Sequence, residues 1–238
     1  MNQSDPCFLT SLPDDIAHKI VFLLQAPDVS SLGSCSRTFR DLCGLDSVWL
    51  GLCRDRWPSQ EIVQDSLKGW KGSYINKHME MTEKAKIVVK FVDQCFSNES
   101  IEVGYYLAAI ENLRMFRFGF KDVEILFFKP DMNVILNLVG LHYCIGWLGV
   151  PVEDVIEALR CTKIPDREVC VRWWKLGRWF YGFRMHDESR FRQISLKDLI
   201  KGGEDEVMRV LHRGALHEVM RVQISVTKLI PVSSWATY

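Results

Sequence analysis

The chain has 238 residues, of which 47% are hydrophobic and 25% charged, and its 30 basic residues balance its 30 acidic ones. This composition is typical of a folded chain with room for one medium and one small domain. Because the formal net charge is zero, no overall field attracts nucleic acid or an anionic membrane. We therefore expect neither nucleic acid nor a membrane as a partner.

Eight cysteines lie among apolar residues, as small buried hydrophobic side chains do. The first residues, MNQSDPC, lack the basic start and the apolar run of a secretory signal. We therefore expect free thiols and a reducing compartment, the cytoplasm or the nucleus.

Residues 134–152 carry no Asp, Glu, Lys or Arg, over a length close to that of a membrane span. Asn137, His142, Pro151 and three glycines interrupt the run, and no Lys/Arg cluster lies close to either end. These features favour a segment buried in a protein core, either as a helix or as a pair of strands.

Residues 12–57 contain four short apolar patterns at helical spacing, each bounded by residues that start or end helices. The first pattern follows Pro13 and stops before Pro27, and it consists of Ile16, Ile20, Leu23 and Leu24. Three further helices have predicted N-caps at Asp28, Ser36 and Asp46. A unit this small buries little core of its own, so we expect it to offer apolar surface to a partner.

The same stretch contains a spaced set of residues that resembles an F-box. The set comprises Leu12-Pro13, Asp15, Ile16, Ile20, Leu23-Leu24, Asp28, Leu32, Cys35-Ser36-Arg37, Phe39, Leu42 and Asp46-Ser47-Val48-Trp49. It departs from the family where the usual Val-Cys pair is shifted to Cys35-Ser36 and where Phe39 replaces the usual Trp. The resemblance implies a helical adaptor that docks on Skp1 and, through it, on a cullin-RING ubiquitin ligase. The docking residues that it implies are Leu12, Pro13, Ile16, Ile20, Leu24, Leu32, Phe39 and Trp49.

The pattern changes after the helical module. Residues 61–81 predict a connecting helix, residues 82–96, 101–116 and 152–161 predict further helices, and residues 123–128 predict a buried strand. Residues 168–176, 178–185 and 190–194 are rich in strand-forming residues. The pentapeptide EVMRV occurs at 206–210 and again at 218–222, which favours two strands around a turn, with two helical turns as the alternative.

The sequence offers little that would carry catalysis. It has no phosphate-binding glycine loop and no Cys-x2-Cys zinc spacing, so we expect no cofactor, no metal and no catalytic residue. His142 and Cys144 would face one side of a strand as a base and a nucleophile, but an ordinary apolar strand has the same pattern. His186, Asp187 and Glu188 indicate a solvated loop rather than an acid–base site.

Residues 169–185 alternate cations with aromatic side chains. Trp, Tyr and Arg are the usual anchors of protein interfaces, so one reading is an exposed face that binds a partner. The other reading is ordinary sheet packing with solvated cations. The predicted partner surface consists of Arg172, Trp174, Arg178, Phe180 and Arg184.

We predict an α+β fold, an N-terminal helical F-box followed by a mixed domain of helices and antiparallel strands. The predicted boundaries are a flexible arm at 1–10, the F-box at 11–57, a connecting helix at 58–81 and a target-binding domain at 82–238. The predicted function is the substrate-recruiting subunit of an SCF-type ubiquitin ligase, an adaptor that binds Skp1 and an unidentified target protein. The alternative is a lectin-like, glycan-binding F-box protein, because aromatic side chains can stack on sugars.

Overall fold

The computed structural model describes residues 13–58, 68–201, 206–213 and 219–226. It divides the chain into two compact units, residues 1–80 and residues 81–238. The predicted arm at 1–10 lies outside the described residues. Helices, together with an antiparallel sheet, confirm the predicted α+β class.

The first unit begins with four short helices. They are α1 (Asp14–Phe22), α2 (Ala26–Cys35), α3 (Arg37–Cys43) and α4 (Asp46–Arg56). Their inward residues form a small core that includes Val21, Val29, Phe39, Val48 and Trp49. The four predicted helices are therefore confirmed. The stripe predicted for α1 is not its buried face, because Ala17 and Val21 are buried there while Ile16 and Ile20 are exposed.

The helix starts differ from the prediction in two of three places. Ser36 does cap α3, since its hydroxyl accepts the backbone N–H of Phe39 at 3.2 Å. Asp28 lies inside the first turn of α2, because the helix already begins at Ala26 and accommodates the proline near its start. Asp46 does not cap α4; its carboxylate accepts the backbone N–H of Trp70 at 3.0 Å instead.

A single helix, α5 (Gly69–Cys95), replaces the two helices predicted over 61–81 and 82–96. Gly72 lies within it, although the sequence suggested an interruption there, because one glycine costs an otherwise favourable helix only about 1 kcal/mol. Residues 59–67 lie outside the described part of the chain.

The second unit continues with six more helices among the residues that the structure describes. They are α6 (Val103–Met115), α7 (Phe120–Phe127), α8 (Val134–Gly146), α9 (Val152–Cys161), α10 (Leu196–Lys201) and α11 (Glu206–Arg213). Residues 134–146 of the uncharged run form α8, which is buried from Val134 to Cys144, so the core-helix interpretation is confirmed for this part of the run. No helix in the described ranges is long and apolar enough to span a membrane.

The strand predicted at 123–128 is wrong, because residues 123–127 belong to α7 and Phe128 directly follows it. A short apolar run fits either a buried strand or a buried helix turn, and periodicity alone does not separate them. Here Asp122 favours the helix, since its carboxylate accepts the backbone N–H of Gly119 at 3.3 Å, where the chain enters α7.

The sheet of the second unit has four antiparallel strands in the order β1-β6-β2-β5. They are β1 (Ser100–Glu102), β2 (Glu168–Lys175), β5 (Glu188–Ser195) and β6 (Val219–Ser225). The two-residue strands β3 (Trp179–Phe180) and β4 (Phe183–Arg184) form a separate hairpin between β2 and β5. Alternation along β2 buries Val169, Val171 and Trp173 on one face.

The repeated pentapeptide adopts two different structures. In α11, Val207, Val210 and Leu211 are buried at helical spacing, whereas the second copy continues into β6, where Val222 and Ile224 are buried at strand spacing. The prediction of two strands is therefore wrong for the first copy. Tertiary packing decides between the two states, since the local sequence is identical.

Candidate docking surfaces

An apolar stripe lies exposed along α1 and the residues that follow it. The exposed fractions are 38% for Ile16, 40% for Ile20 and 84% for Leu23, and Leu24 is half-buried. These residues are spaced i, i+4, i+7 and i+8, so they share one side of the helix. Large apolar side chains aligned in this way indicate a surface for another protein.

The structure divides the eight predicted docking residues by exposure. Pro13, Ile16 and Ile20 are exposed, Leu24 and Leu32 are half-buried, and Phe39 and Trp49 are buried within the first unit. Leu12 lies outside the described residues. The described part of the same unit exposes five large apolar residues that the predicted docking set does not contain: Phe22, Leu23, Leu45, Ile75 and Met79.

Trp49 is held inside the unit by a defined set of contacts. Its indole N–H donates to the carbonyl oxygen of Cys43 at 2.7 Å, and its ring meets Tyr74 edge-on at 5.4 Å between centroids. Tyr74 also contacts Trp57 at 5.2 Å and accepts a hydrogen bond from the buried guanidinium of Arg56 at 2.9 Å. These contacts attach α4 to the start of α5, so they support the helices that carry the exposed stripe.

In the second unit, cations and rings alternate on the outer face of the sheet. Cross-strand register places Arg172 opposite Phe191 of β5 and Trp174 opposite Arg221 of β6. The Arg172 guanidinium lies 5.9 Å from the Trp174 ring and 5.8 Å from the Phe191 ring, and that of Arg221 lies 5.0 Å from Trp174. Such distances are within the range of cation–π attraction.

Beyond the sheet, the hairpin formed by β3 and β4 exposes almost all of its side chains. Its turn residues, Tyr181 and Gly182, both have positive φ (48° and 80°), as a two-residue hairpin turn of the primed type requires. The exposed apolar residues of residues 176–185 are Leu176, Trp179, Phe180, Tyr181, Phe183 and Met185. We call these residues the aromatic hairpin.

The predicted partner surface is brought together only in part. Arg172 and Trp174 share the outer face of β2, and Arg178, Phe180 and Arg184 belong to the hairpin. Phe180 pairs with Phe183, while Arg184 pairs with Trp179, so Phe180 and Arg184 lie on opposite faces of the hairpin. The sequence did not indicate this division, because the chain leaves the strand pattern between Lys175 and Trp179.

Comparison with protein-family models finds one match, the F-box domain, over residues 9–51. The chain carries an F-box domain. The match covers α1 and the residues that follow it, which carry the exposed stripe, although it begins outside the described residues. No curated protein and no solved structure matches the chain.

F-box domains in general are Skp1-binding adaptors of SCF-type ubiquitin ligases, and proteins that contain them are generally adaptors rather than enzymes. The match therefore supports the general prediction of a Skp1-binding adaptor of SCF-type ligases. The family match says nothing about residues 52–238, where the sheet and the aromatic hairpin lie.

The histidine considered as a catalytic base, His142, lies buried in the second unit. The hydroxyl of Tyr106 lies 2.8 Å from Nδ1 of His142, and Nε2 of His142 lies 2.6 Å from Nδ1 of His212. Burial, together with repulsion from His212, lowers the pKa of His142 from 6.5 to about 4. Both ring nitrogens are therefore engaged, and the ring stays neutral at physiological pH.

Cys144 does not pair with that histidine as a nucleophile. The two residues lie on a helix rather than a strand, and two positions on a helix are about 200° apart. Burial raises the pKa of the Cys144 thiol, so the thiolate that would attack a substrate is not formed. Within the described ranges, no group of three or more His, Cys, Asp or Glu residues is placed to hold a metal ion.

Proposed function

We propose that this protein is a substrate-recruiting subunit of an SCF-type ubiquitin ligase. The F-box match and the exposed apolar stripe of α1 support docking on Skp1, and the stripe is the single observation that carries the proposal. In this proposal Pro13, Ile16, Ile20 and Leu24 contact Skp1. Phe39 and Trp49 act indirectly, since their burial holds the helices in place.

The second unit supplies the other half of the proposed function, the binding of a target protein. Its support is the aromatic hairpin, since a monomeric protein rarely leaves so many large apolar side chains exposed together. Tyr and Trp are the side chains that protein interfaces most often use as anchors.

The proposed mechanism is positional. Skp1 and the cullin hold the protein near the ubiquitin-loaded enzyme, and the bound target is presented there at a raised effective concentration. No residue of this chain needs to form or break a covalent bond in that mechanism. The adaptor would act in the cytoplasm or the nucleus, where its free thiols stay reduced.

The experiment replaces the exposed stripe and measures binding of the full chain to purified Skp1. Ile16→Asp combined with Ile20→Asp removes two side chains that are each about 40% exposed. Loss of their burial at an interface costs about 2 kcal/mol, or about 30-fold in Kd, before the desolvation of the new carboxylates is counted. We expect Skp1 to be lost from affinity-purified protein.

Lys19→Glu is the matched control, because it adds negative charge to an exposed polar position of the same helix. Both variants should keep the wild-type helical content, since neither replaces a fully buried side chain. Equal recovery of Skp1 with the double variant and the wild type contradicts docking through this stripe.

A glycan-binding second unit is the other candidate function, and the exposed rings of Trp179 and Tyr181 are the observation that favours it. Exposed aromatic faces can stack on sugars as well as on protein. A glycan array probed with the full chain separates the two, because a receptor for a protein target leaves the array blank.

A further inference from the structure

We propose that the outer face of the sheet and the aromatic hairpin bind an extended, acidic segment of the target protein, in which carboxylates alternate with apolar residues. This inference rests on the proposed function, since it names the chemistry of the target that the second unit would hold. It concerns Arg172, Trp174, Phe191 and the aromatic hairpin.

The apolar part of the argument is the exposure of the hairpin tip. Trp179 is 73% exposed and Tyr181 is 88% exposed, although both side chains are large. These rings contribute little to the core, so their contribution to folding is small. Large, rigid rings of this kind are used in binding surfaces, because they offer contact area at a low cost in conformational entropy.

The charge of the aromatic hairpin and the outer face of the sheet favours an anionic partner. Residues 176–185 carry two arginines and no carboxylate, whereas the whole chain is neutral. The outer face of the sheet adds Arg172 and Arg221, next to the ring of Trp174.

Arg172 has the most suitable position for a carboxylate. Its guanidinium lies near the rings of Trp174 and Phe191, and no carboxylate among the described residues forms an ion pair with it. A planar guanidinium suits two-pronged hydrogen bonding to a carboxylate. An acidic side chain of the target would supply the charge that the chain itself does not supply.

The hairpin is held in shape by its own backbone. The Asp187 carboxylate accepts the backbone N–H of Gly177 at 2.8 Å, and the N–H of Met185 donates to the carbonyl oxygen of Arg178 at 2.8 Å. A Cβ at Gly177 would lie 1.8 Å from the carbonyl oxygen of Met185, so only glycine fits there. A tip fixed in this way binds without a large cost in ordering.

The observations favour a protein segment over an anionic membrane. Recognition of anionic lipid headgroups relies on clusters of four to eight basic residues with little opposing charge. Residues 176–192 have a net charge of only +2, and Arg172 projects from β2, which has a neighbouring strand on each side. A flexible acidic segment can follow such a face.

The experiment selects peptides from a phage-displayed library of random 12-residue sequences against the full chain, immobilised through an N-terminal tag. We expect the selected sequences to be enriched in Asp and Glu next to apolar residues. The most enriched peptide, synthesised with a fluorescent label, then serves as the probe for affinity measurements.

Two variants test the surface separately. Arg172→Gln removes the unpaired cation and should weaken probe binding about tenfold or more, since contacts to a charged group are worth that much. Tyr181→Asn removes the tip ring, and Asn tolerates the positive φ of that turn position, so we expect the hairpin to stay folded while binding falls. Matched controls are Arg160→Gln and Tyr105→Gln, which remove an exposed cation and an exposed ring from helices of the same unit.

Three results overturn the inference: a library without enrichment, selected peptides without acidic residues, or probe binding that both variants leave unchanged. Sedimentation of the protein with phosphatidylcholine–phosphatidylserine vesicles, lost in Tyr181→Asn, would assign the surface to a membrane instead. Co-purification of Skp1 is measured in parallel. If Skp1 binds while no acidic peptide is selected, only this inference fails; if Skp1 does not bind, the proposed function fails.

Discussion

The buried ring of His142, which contacts His212, predicts a loss of stability in mild acid. Burial lowers the folded-state pKa of His142 to about 4, whereas the ordinary value is 6.5. Between these two values the unfolded chain binds a proton that the folded chain does not. The stabilisation is therefore complete above pH 6.5 and is lost as the pH falls from 6.5 towards 4.

The size of the loss follows from the two pKa values. Each pKa unit corresponds to about 1.4 kcal/mol, so the full separation is worth about 3 kcal/mol, of which about 2 kcal/mol is lost between pH 7 and pH 5. The second unit should open more readily at pH 5 by that amount.

Two measurements check this prediction in the full chain. An NMR titration of ring-labelled histidine should find His142 neutral at pH 5, and native-state hydrogen exchange of α8 amides, corrected for intrinsic rates, gives the change in opening free energy. In His142→Gln, the opening free energy should lose the part of its pH dependence that comes from the uptake of one proton by His142. A His142 pKa near 6.5, or an opening free energy that does not change between pH 7 and pH 5, would refute the reasoning.

Three substitutions give further predictions. Trp49→Phe removes the indole N–H and leaves the carbonyl at the end of α3 without that donor, so the first unit should lose about 1–3 kcal/mol in denaturant unfolding. Gly140→Ala places a Cβ 2.8 Å from a packed valine methyl and should cost about 1–3 kcal/mol, whereas Gly104→Ala, with open space around its Cβ, should not lower the melting temperature. Gly177→Ala should displace the hairpin, seen as faster hydrogen exchange at the amide of Met185, with the melting temperature of the first unit unchanged.

The F-box helices were predictable because their signals are local. Apolar spacing, with a proline or a capping type of residue near each start, indicated all four helices in the first unit, although only Ser36 of the three predicted caps acts as one. Which apolar residues face outward was not predictable, because Phe39 and Ile16 belong to the same motif and only packing buries the former. The hydrogen bond of Asp46 was not predictable either, because its partner lies 24 residues away along the chain.

The second unit was predicted less well, because its elements depend on contacts between distant residues. The two copies of EVMRV have one sequence and two structures, and β1 of three residues has too few residues to show a pattern. The aromatic content of residues 169–185 was evident from the sequence. The burial of Trp173 and the exposure of Trp179 were not evident, because they depend on the end of strand β2 at Lys175, which the composition does not reveal.

The most direct test of the proposed function is photo-crosslinking of the full chain to purified Skp1. A benzoylphenylalanine at Leu23, the most exposed position of the α1 stripe, should crosslink to Skp1, whereas the same group at Tyr105 in the second unit should not. A crosslink from Tyr105 with none from Leu23, or no crosslink from either in the presence of saturating Skp1, would contradict docking through the F-box stripe.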